Sequence, residues 1–242
     1  NNLKTATAEL GNYASEFFMI FLLVAFGLIA AGTGAYLLAG LKWNMWIVLP
    51  VTIIFTLLLM KFLSPKQIKG NLDRQFAIFK NKHNWIMTIL YVMTFGSFIG
   101  YSASFPKLIQ DVFGYLPDGT VNPNAPNPMT WAFLGPLVGA LIRPIGGWFS
   151  DKINSGSKVT TWSTIVQVGA ALGAAYFIIK AKSLPTPETY WWPFFILFMI
   201  LFIATGVGNG STFRSIPYIF PKEQAGPVLG WTSAIAAYGA FI

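Results

Sequence analysis

Six apolar stretches punctuate the chain: Phe17 to Leu38, Trp43 to Met60, Trp85 to Phe105, Met129 to Phe149, Val159 to Ile179 and Trp192 to Phe213. Each approaches the ~20 residues that carry an α-helix across the hydrocarbon core of a bilayer. In lipid the backbone must satisfy its own hydrogen bonds, so a chain of such segments folds as a helix bundle. The predicted fold class is therefore all-α, a polytopic transmembrane bundle. Composition agrees: 55% of the 242 residues are hydrophobic and only 10% charged, with a mean hydropathy of +0.58. A seventh apolar run begins near Pro227 and is cut at Ile242. The chain opens on Asn1 without a methionine and closes inside that run, which reads as an internal piece of a longer protein.

The basic residues give the topology. Lys61, Lys66, Lys69, Arg74, Lys80, Lys82, Lys152, Lys158, Arg214 and Lys222 fall on one side of the alternating spans, against Lys42, Lys107, Lys180 and Lys182 on the other. The excess marks the cytoplasmic face. Placed in short loops beside apolar runs, these cations set orientation, and nucleic acid is not an expected partner. Lys61 to Asn84 reads as a cytoplasmic join between two halves of a bundle, amphipathic around Leu72, Phe76 and Phe79. Lys42 lies in so short a link that the first two spans are expected to form an antiparallel hairpin, or to leave one span tilted. Pro106 to Pro128, rich in Pro, Asn and Gly, is expected to be an outer loop without helix. Tyr190, Trp191 and Trp192 suit a membrane interface.

The chemistry such a chain can carry is narrow. Without cysteine, with one histidine and with eight scattered carboxylates, it offers no metal-ligand cluster, and neither a metal nor a cofactor is expected. No nucleophile and base stand at a recognisable spacing, so an enzyme is not expected. Arg143, inside the fourth span, is the exception to an apolar interior. A guanidinium at that depth either pairs with a buried acid or with helix carbonyls, or faces a substrate path. No acid lies at comparable depth, which favours the second. Gly135, Gly139, Gly146 and Gly147 put small residues on the neighbouring turns, where helices can approach closely. The planar fork of donors suits carboxylate, phosphate or another planar oxyanion.

Four further groups stand out. Asp151 and Lys152, after Gly146 and Gly147 at the cytoplasmic mouth, could form a gate latch or a solvated pair of little energetic weight. Tyr91 and Phe95 share a helical face through their i,i+4 spacing, which serves packing or binding. In the string from Gly206 to Thr212 the glycines fit close helix contact or a locally broken helix, and Asn209 and Ser211 could line a polar path. The string lacks the lysine and preceding strand of a phosphate loop. Arg214, one turn on, can snorkel to the cytoplasmic surface.

Four strings in order carry a family resemblance: Leu90-Tyr91-Val92-Met93-Thr94-Phe95-Gly96-Ser97-Phe98-Ile99-Gly100, Gly135-Pro136-Leu137-Val138-Gly139-Ala140-Leu141-Ile142-Arg143, Gly208-Asn209-Gly210-Ser211-Thr212-Phe213, and Gly230-Trp231-Thr232-Ser233-Ala234-Ile235-Ala236-Ala237-Tyr238-Gly239-Ala240-Phe241. The chain resembles the bacterial nitrate/nitrite porter family of the major facilitator superfamily from Trp43 to Ile242, which read as helices 6 to 10 and the start of helix 11. The resemblance implies that residues 1–62 hold two helices ending the N-terminal half, 63–84 the cytoplasmic linker, and 85–242 most of the C-terminal half. It further implies nitrate and nitrite as partners, in a monomeric, multi-pass transporter of the bacterial inner membrane. By the same resemblance Arg143 is the substrate-binding arginine of helix 8, Tyr91 and Phe95 line the pocket from helix 7, and Gly230 and Ser233 fall in the second nitrate signature. The family's partner arginine of helix 2 and its first signature do not occur in this sequence, and residues 1–40 do not resemble helix 5. Exchange is expected over proton coupling, since this half offers no membrane-embedded acid. A transporter of another small anion, or a non-catalytic membrane assembly subunit, are the alternatives.

Overall fold

The computed structural model describes residues 2–63, 76–237 and 239, with side chains from residue 13 onward. Every regular element among them is helical, and six helices are long and apolar enough to cross a membrane. The six apolar stretches of the sequence each coincide with one of them, except that Trp43 and Asn44 precede the helix that begins at Met45. The chain divides into two compact units, Asn1–Phe76 and Ala77–Ile242.

The first unit is a hairpin. Helix α1, Asn2–Ala35, runs into a π-turn, Tyr36–Gly40. Lys42 takes a left-handed backbone (φ 53°) and reverses the chain. Asn44 then caps helix α2, Met45–Leu63, by accepting a hydrogen bond from the Trp46 amide. The helices approach where Gly34 faces Thr52: a Cβ at Gly34 would lie 2.9 Å from the threonine methyl. Most large side chains of both helices are exposed, among them Phe17, Phe21, Ile53 and Phe62, as expected where the solvent is lipid. Leu72, one anchor of the expected amphipathic linker, lies outside the described residues.

The second unit begins with a 3-10 turn, Ala77–Lys80, whose Phe79 packs edge-on to Trp231 at 4.6 Å. Asn81 caps α3, Lys82–Tyr91, by accepting from the His83 amide. A π-turn, Val92–Gly96, joins α3 to α4, Ser97–Phe113, in one span. Here the structure corrects the sequence reading: the outer loop was expected from Pro106, yet the helix continues seven residues beyond that proline. Pro106 costs one backbone hydrogen bond. Phe105, Ile109, Val112 and Phe113, all buried, offset it, since each large side chain contributes on the order of 1.5–3 kcal/mol on burial. Phe105 lies almost parallel to Phe198 at 4.4 Å. The loop that follows does form turns: Asp118 accepts from the amide and hydroxyl of Thr120, which holds its carboxyl below the usual range. Asn122 donates to Phe113 O and to Glu188.

A one-turn helix α5, Pro128–Trp131, leads into α6, Leu134–Ile153, which stops at the left-handed Asn154. Helix α7 spans Gly156–Lys182, α8 Trp191–Ile219 and α9 Lys222–Ala237. The seventh apolar run was expected from near Pro227; the helix begins five residues earlier, with Pro227 inside it. Two clusters form the core. One, rich in rings, gathers Phe105, Phe113, Phe194, Phe198 and Phe202. The other, at the Lys/Arg-rich end, joins Ile78, Met87, Ile216, Phe220 and Val228. Helix α7 turns Trp162, Ile165, Leu172 and Ile179 outward. Such a continuous apolar face is untenable in water and ordinary in lipid.

Candidate functional site

Helices α6 and α8 meet backbone to backbone. A Cβ at Gly146 would meet the Val207 carbonyl oxygen, one at Gly206 the Gly139 carbonyl oxygen, and one at Gly210 the Arg143 carbonyl oxygen. The seam explains why glycine recurs in both helices. In place of the locally broken helix that the Gly206 to Thr212 string allowed, α8 runs through it without interruption. Gly147, beside the seam, would meet the Gly210 oxygen only at 3.6 Å, an ordinary contact.

Arg143 hangs from this seam, half-buried. Its guanidinium carbon lies 4.4 Å from the ring centroid of Phe98 and 5.2 Å from that of Phe95. Phe95 in turn stacks on Tyr91 at 5.2 Å and 13°. The ion pairs of the described residues are Lys107–Asp111 and Asp151–Arg214, so Arg143 has no acid. Magnitudes show how its placement is offset. An arginine at mid-membrane costs about 2.5–3.5 kcal/mol, and a desolvated cation over one aromatic face recovers up to about 2 kcal/mol. Two rings therefore come close to offsetting the burial, and leave the polar edge of the guanidinium unused. Its buried Nε has no hydrogen-bond partner among the described residues.

The π-turn places these rings. Its extra residue per turn shifts Phe95 and Phe98 relative to Tyr91, and such bulges recur at functional sites. A Cβ at Gly96 would lie 2.7 Å from the Cα of Gly239, so Gly239 packs directly against the turn. Tyr91 is buried and also meets Phe213 of α8 at 4.7 Å. Asn209, one turn before Phe213 on the same face, is 1% exposed, and both its amide atoms lack a partner. Arg143, Tyr91, Phe95 and Asn209 thus share one region. Gly230 and Ser233 make no hydrogen bond or ring contact with it: Ser233 donates to Leu229 of its own helix at 2.6 Å, and nothing stands within 4 Å of a Cβ at Gly230. Ser211 turns away as well, to Thr160 of α7 at 2.7 Å. Phe98, the ring nearest Arg143, was missed, although its spacing of three from Phe95 could have found it.

At the Lys/Arg-rich mouth the structure corrects the expected pairing. Asp151 does not meet Lys152, because neighbours in a helix point about 100° apart. Instead its two oxygens share the single Nε–H of Arg214 in α8, at 2.7 and 2.9 Å, so Arg214 ties α8 to α6 at this mouth. Lys152 lies over Trp148 at 5.1 Å. Beside the pair opens a cavity of about 360 Å³, lined by Ser150, Ser155, Ser157, Ser215 and Tyr218 among others.

The second unit thus holds an arginine on aromatic faces beside glycine-packed helices, within a bundle of helices long and apolar enough to cross a membrane. The chain belongs to the Major Facilitator Superfamily, whose sequence pattern matches residues 12–242. That match includes the whole of the first span, which the family resemblance had left out. Within the superfamily the chain resembles nitrate/nitrite transporters. It is 45% identical over 193 residues to the probable nitrate/nitrite antiporter NarK2 of Thermus thermophilus, covering 80% of this chain and 41% of that protein. It is 34% identical over 195 residues to the nitrate/nitrite transporter NarU of Escherichia coli, covering 72% and 38%, and 28% identical over 177 residues to the nitrite extrusion protein of Bacillus subtilis, covering 73% and 40%. The chain spans about two fifths of the length of these relatives. With six membrane-spanning helices and bacterial relatives of this kind, it is a multi-pass protein of the inner membrane.

Proposed function

We propose that the protein carrying this chain exchanges nitrate for nitrite, or takes up nitrate, by alternating access, and that Arg143 supplies one half of the anion site. The observation that carries this reading is the acid-free guanidinium of Arg143 over Phe98 and Phe95 with its Nε unpartnered. Nitrate and nitrite are small planar anions. A guanidinium edge meets two of their oxygens in the plane, while ring faces limit how far they tilt. Tyr91 stiffens Phe95 by stacking and Asn209 adds neutral polarity. Gly230 and Ser233, on α9, belong to the opposite rim of the path and act when the halves close on each other.

Residues 1–62 hold the last helices of the N-terminal half, 63–84 the join, and 85–242 most of the C-terminal half. The Asp151–Arg214 pair ties α6 to α8 at the cytoplasmic mouth and serves as the latch, with Gly146 and Gly147 giving the helix room to shift there. Lys152 stiffens the same end through Trp148. The protein works as a monomer in the lipid bilayer and carries out no covalent chemistry. Competition in proteoliposomes containing the full-length protein tests the substrate class: uptake of labelled nitrite should fall when nitrate or chlorate is present outside, and not with acetate or phosphate. Equal competition by small carboxylates would replace the reading with a general anion carrier.

A further inference from the structure

The region around Arg143 holds more unused hydrogen-bonding capacity than the arginine alone. Thr94, on the π-turn, is 1% exposed and its hydroxyl has no partner among the described residues. Nor has either amide atom of Asn209, likewise 1% exposed. Buried polar groups are nearly always satisfied, and an orphan costs about 1–3 kcal/mol. Orphans gathered in one region point to a partner beyond the described residues.

Local packing brings them together. A Cβ at Gly208 would lie 2.9 Å from the methyl of Thr94, and one at Gly210 would meet the carbonyl oxygen of Arg143. Asn209, between those two glycines, therefore lies on the face of α8 between the π-turn and α6. Its helical neighbour Phe213 packs on Tyr91, one turn below Thr94. Other hydroxyls nearby are spoken for: Ser163 donates to Thr160 O, Thr205 to Phe202 O, and Ser211 to Gly208 O.

We infer that Thr94 and Asn209 are specificity-determining residues that donate to the third oxygen of a trigonal oxyanion and so favour nitrate over nitrite. The inference rests on the anion site proposed above. A guanidinium edge, here including the unpartnered Nε, takes two oxygens. Nitrate has a third, directed away from the arginine, whereas nitrite in the same pose presents only the nitrogen lone pair. A neutral donor on that side rewards nitrate without adding charge, and a site built to hydrogen-bond a group discriminates strongly against an analogue lacking it.

The test is counterflow and competition in proteoliposomes with the full-length protein, measuring apparent affinities for nitrate and nitrite in wild type, Thr94→Val, Thr94→Ser and Asn209→Leu. Thr94→Val is nearly isosteric and removes a hydroxyl unsatisfied in the absence of anion, so folding, followed by thermal unfolding in detergent, should hold. The expected result is a nitrate-to-nitrite preference lowered about tenfold in Thr94→Val and in Asn209→Leu, the effect of one hydrogen bond, and restored in Thr94→Ser. An unchanged preference, or an equal loss for both anions, overturns the inference while leaving the anion site in place. A wild-type protein that transports neither anion removes the site and the inference together.

Discussion

Arg143 illustrates how a single side chain can be placed by two kinds of contact at once. Its backbone is gripped by Gly210 and its head lies on two rings, which leaves the donors free. Removing the nearer ring should show this division. Phe98→Leu keeps apolar volume but takes away the face, and the loss of the cation–π contact, on the order of 1–2 kcal/mol, should weaken apparent anion affinity about tenfold with less effect on thermal unfolding. Transport assays and detergent melts on the same preparation check both. A parallel fall in stability and affinity would make Phe98 a packing residue. Thr94→Val should raise the melting temperature of the anion-free protein slightly, because an orphaned hydroxyl is costly; lower stability would mean that the hydroxyl is satisfied in the membrane.

At the scale of helices, the glycine seam between α6 and α8 sets the geometry. Gly146→Ala would drive a methyl into the Val207 carbonyl, and overpacking of this kind costs about 1–3 kcal/mol. Gly169→Ala, on the exposed side of α7 with nothing within 4 Å, should instead leave stability unchanged or raise it by about 0.5–1 kcal/mol through helix propensity. Thermal unfolding of the two variants side by side measures the contrast. The spans and Arg143 were legible because burial in lipid imposes long apolar runs, and a lone charge within one is conspicuous. The helical course past Pro106 was not, since it depends on Phe105 meeting Phe194 and Phe198, partners some ninety residues away. Nor was the choice of Arg214 over Lys152 for Asp151: sequence adjacency suggested a pair that helical geometry separates. The π-turn left no local signature, and its effect is to bring Phe98 beneath Arg143.

At the scale of the molecule, the Asp151–Arg214 tether is partly exposed, so its contribution to stability is small, about 0–1 kcal/mol. Its effect should appear in the balance of conformations. Asp151→Asn should speed labelling of a cysteine placed at Ser155, in the adjoining cavity, by about threefold or more, as expected where a kcal/mol shifts a near-balanced equilibrium. The absence of native cysteine in this stretch keeps the readout clean. Unchanged labelling would leave the pair as a structural tether.

The central claim, that Arg143 holds the transported anion, is tested most directly by nitrate-for-nitrite counterflow in proteoliposomes with the full-length protein, comparing wild type with Arg143→Lys. Lysine keeps the charge and loses the planar fork. Exchange should fall by about a hundredfold or more, as when a charge-assisted bidentate contact is removed, with thermal unfolding unchanged. Exchange at the wild-type rate in the lysine variant would contradict the claim and return Arg143 to a purely structural part.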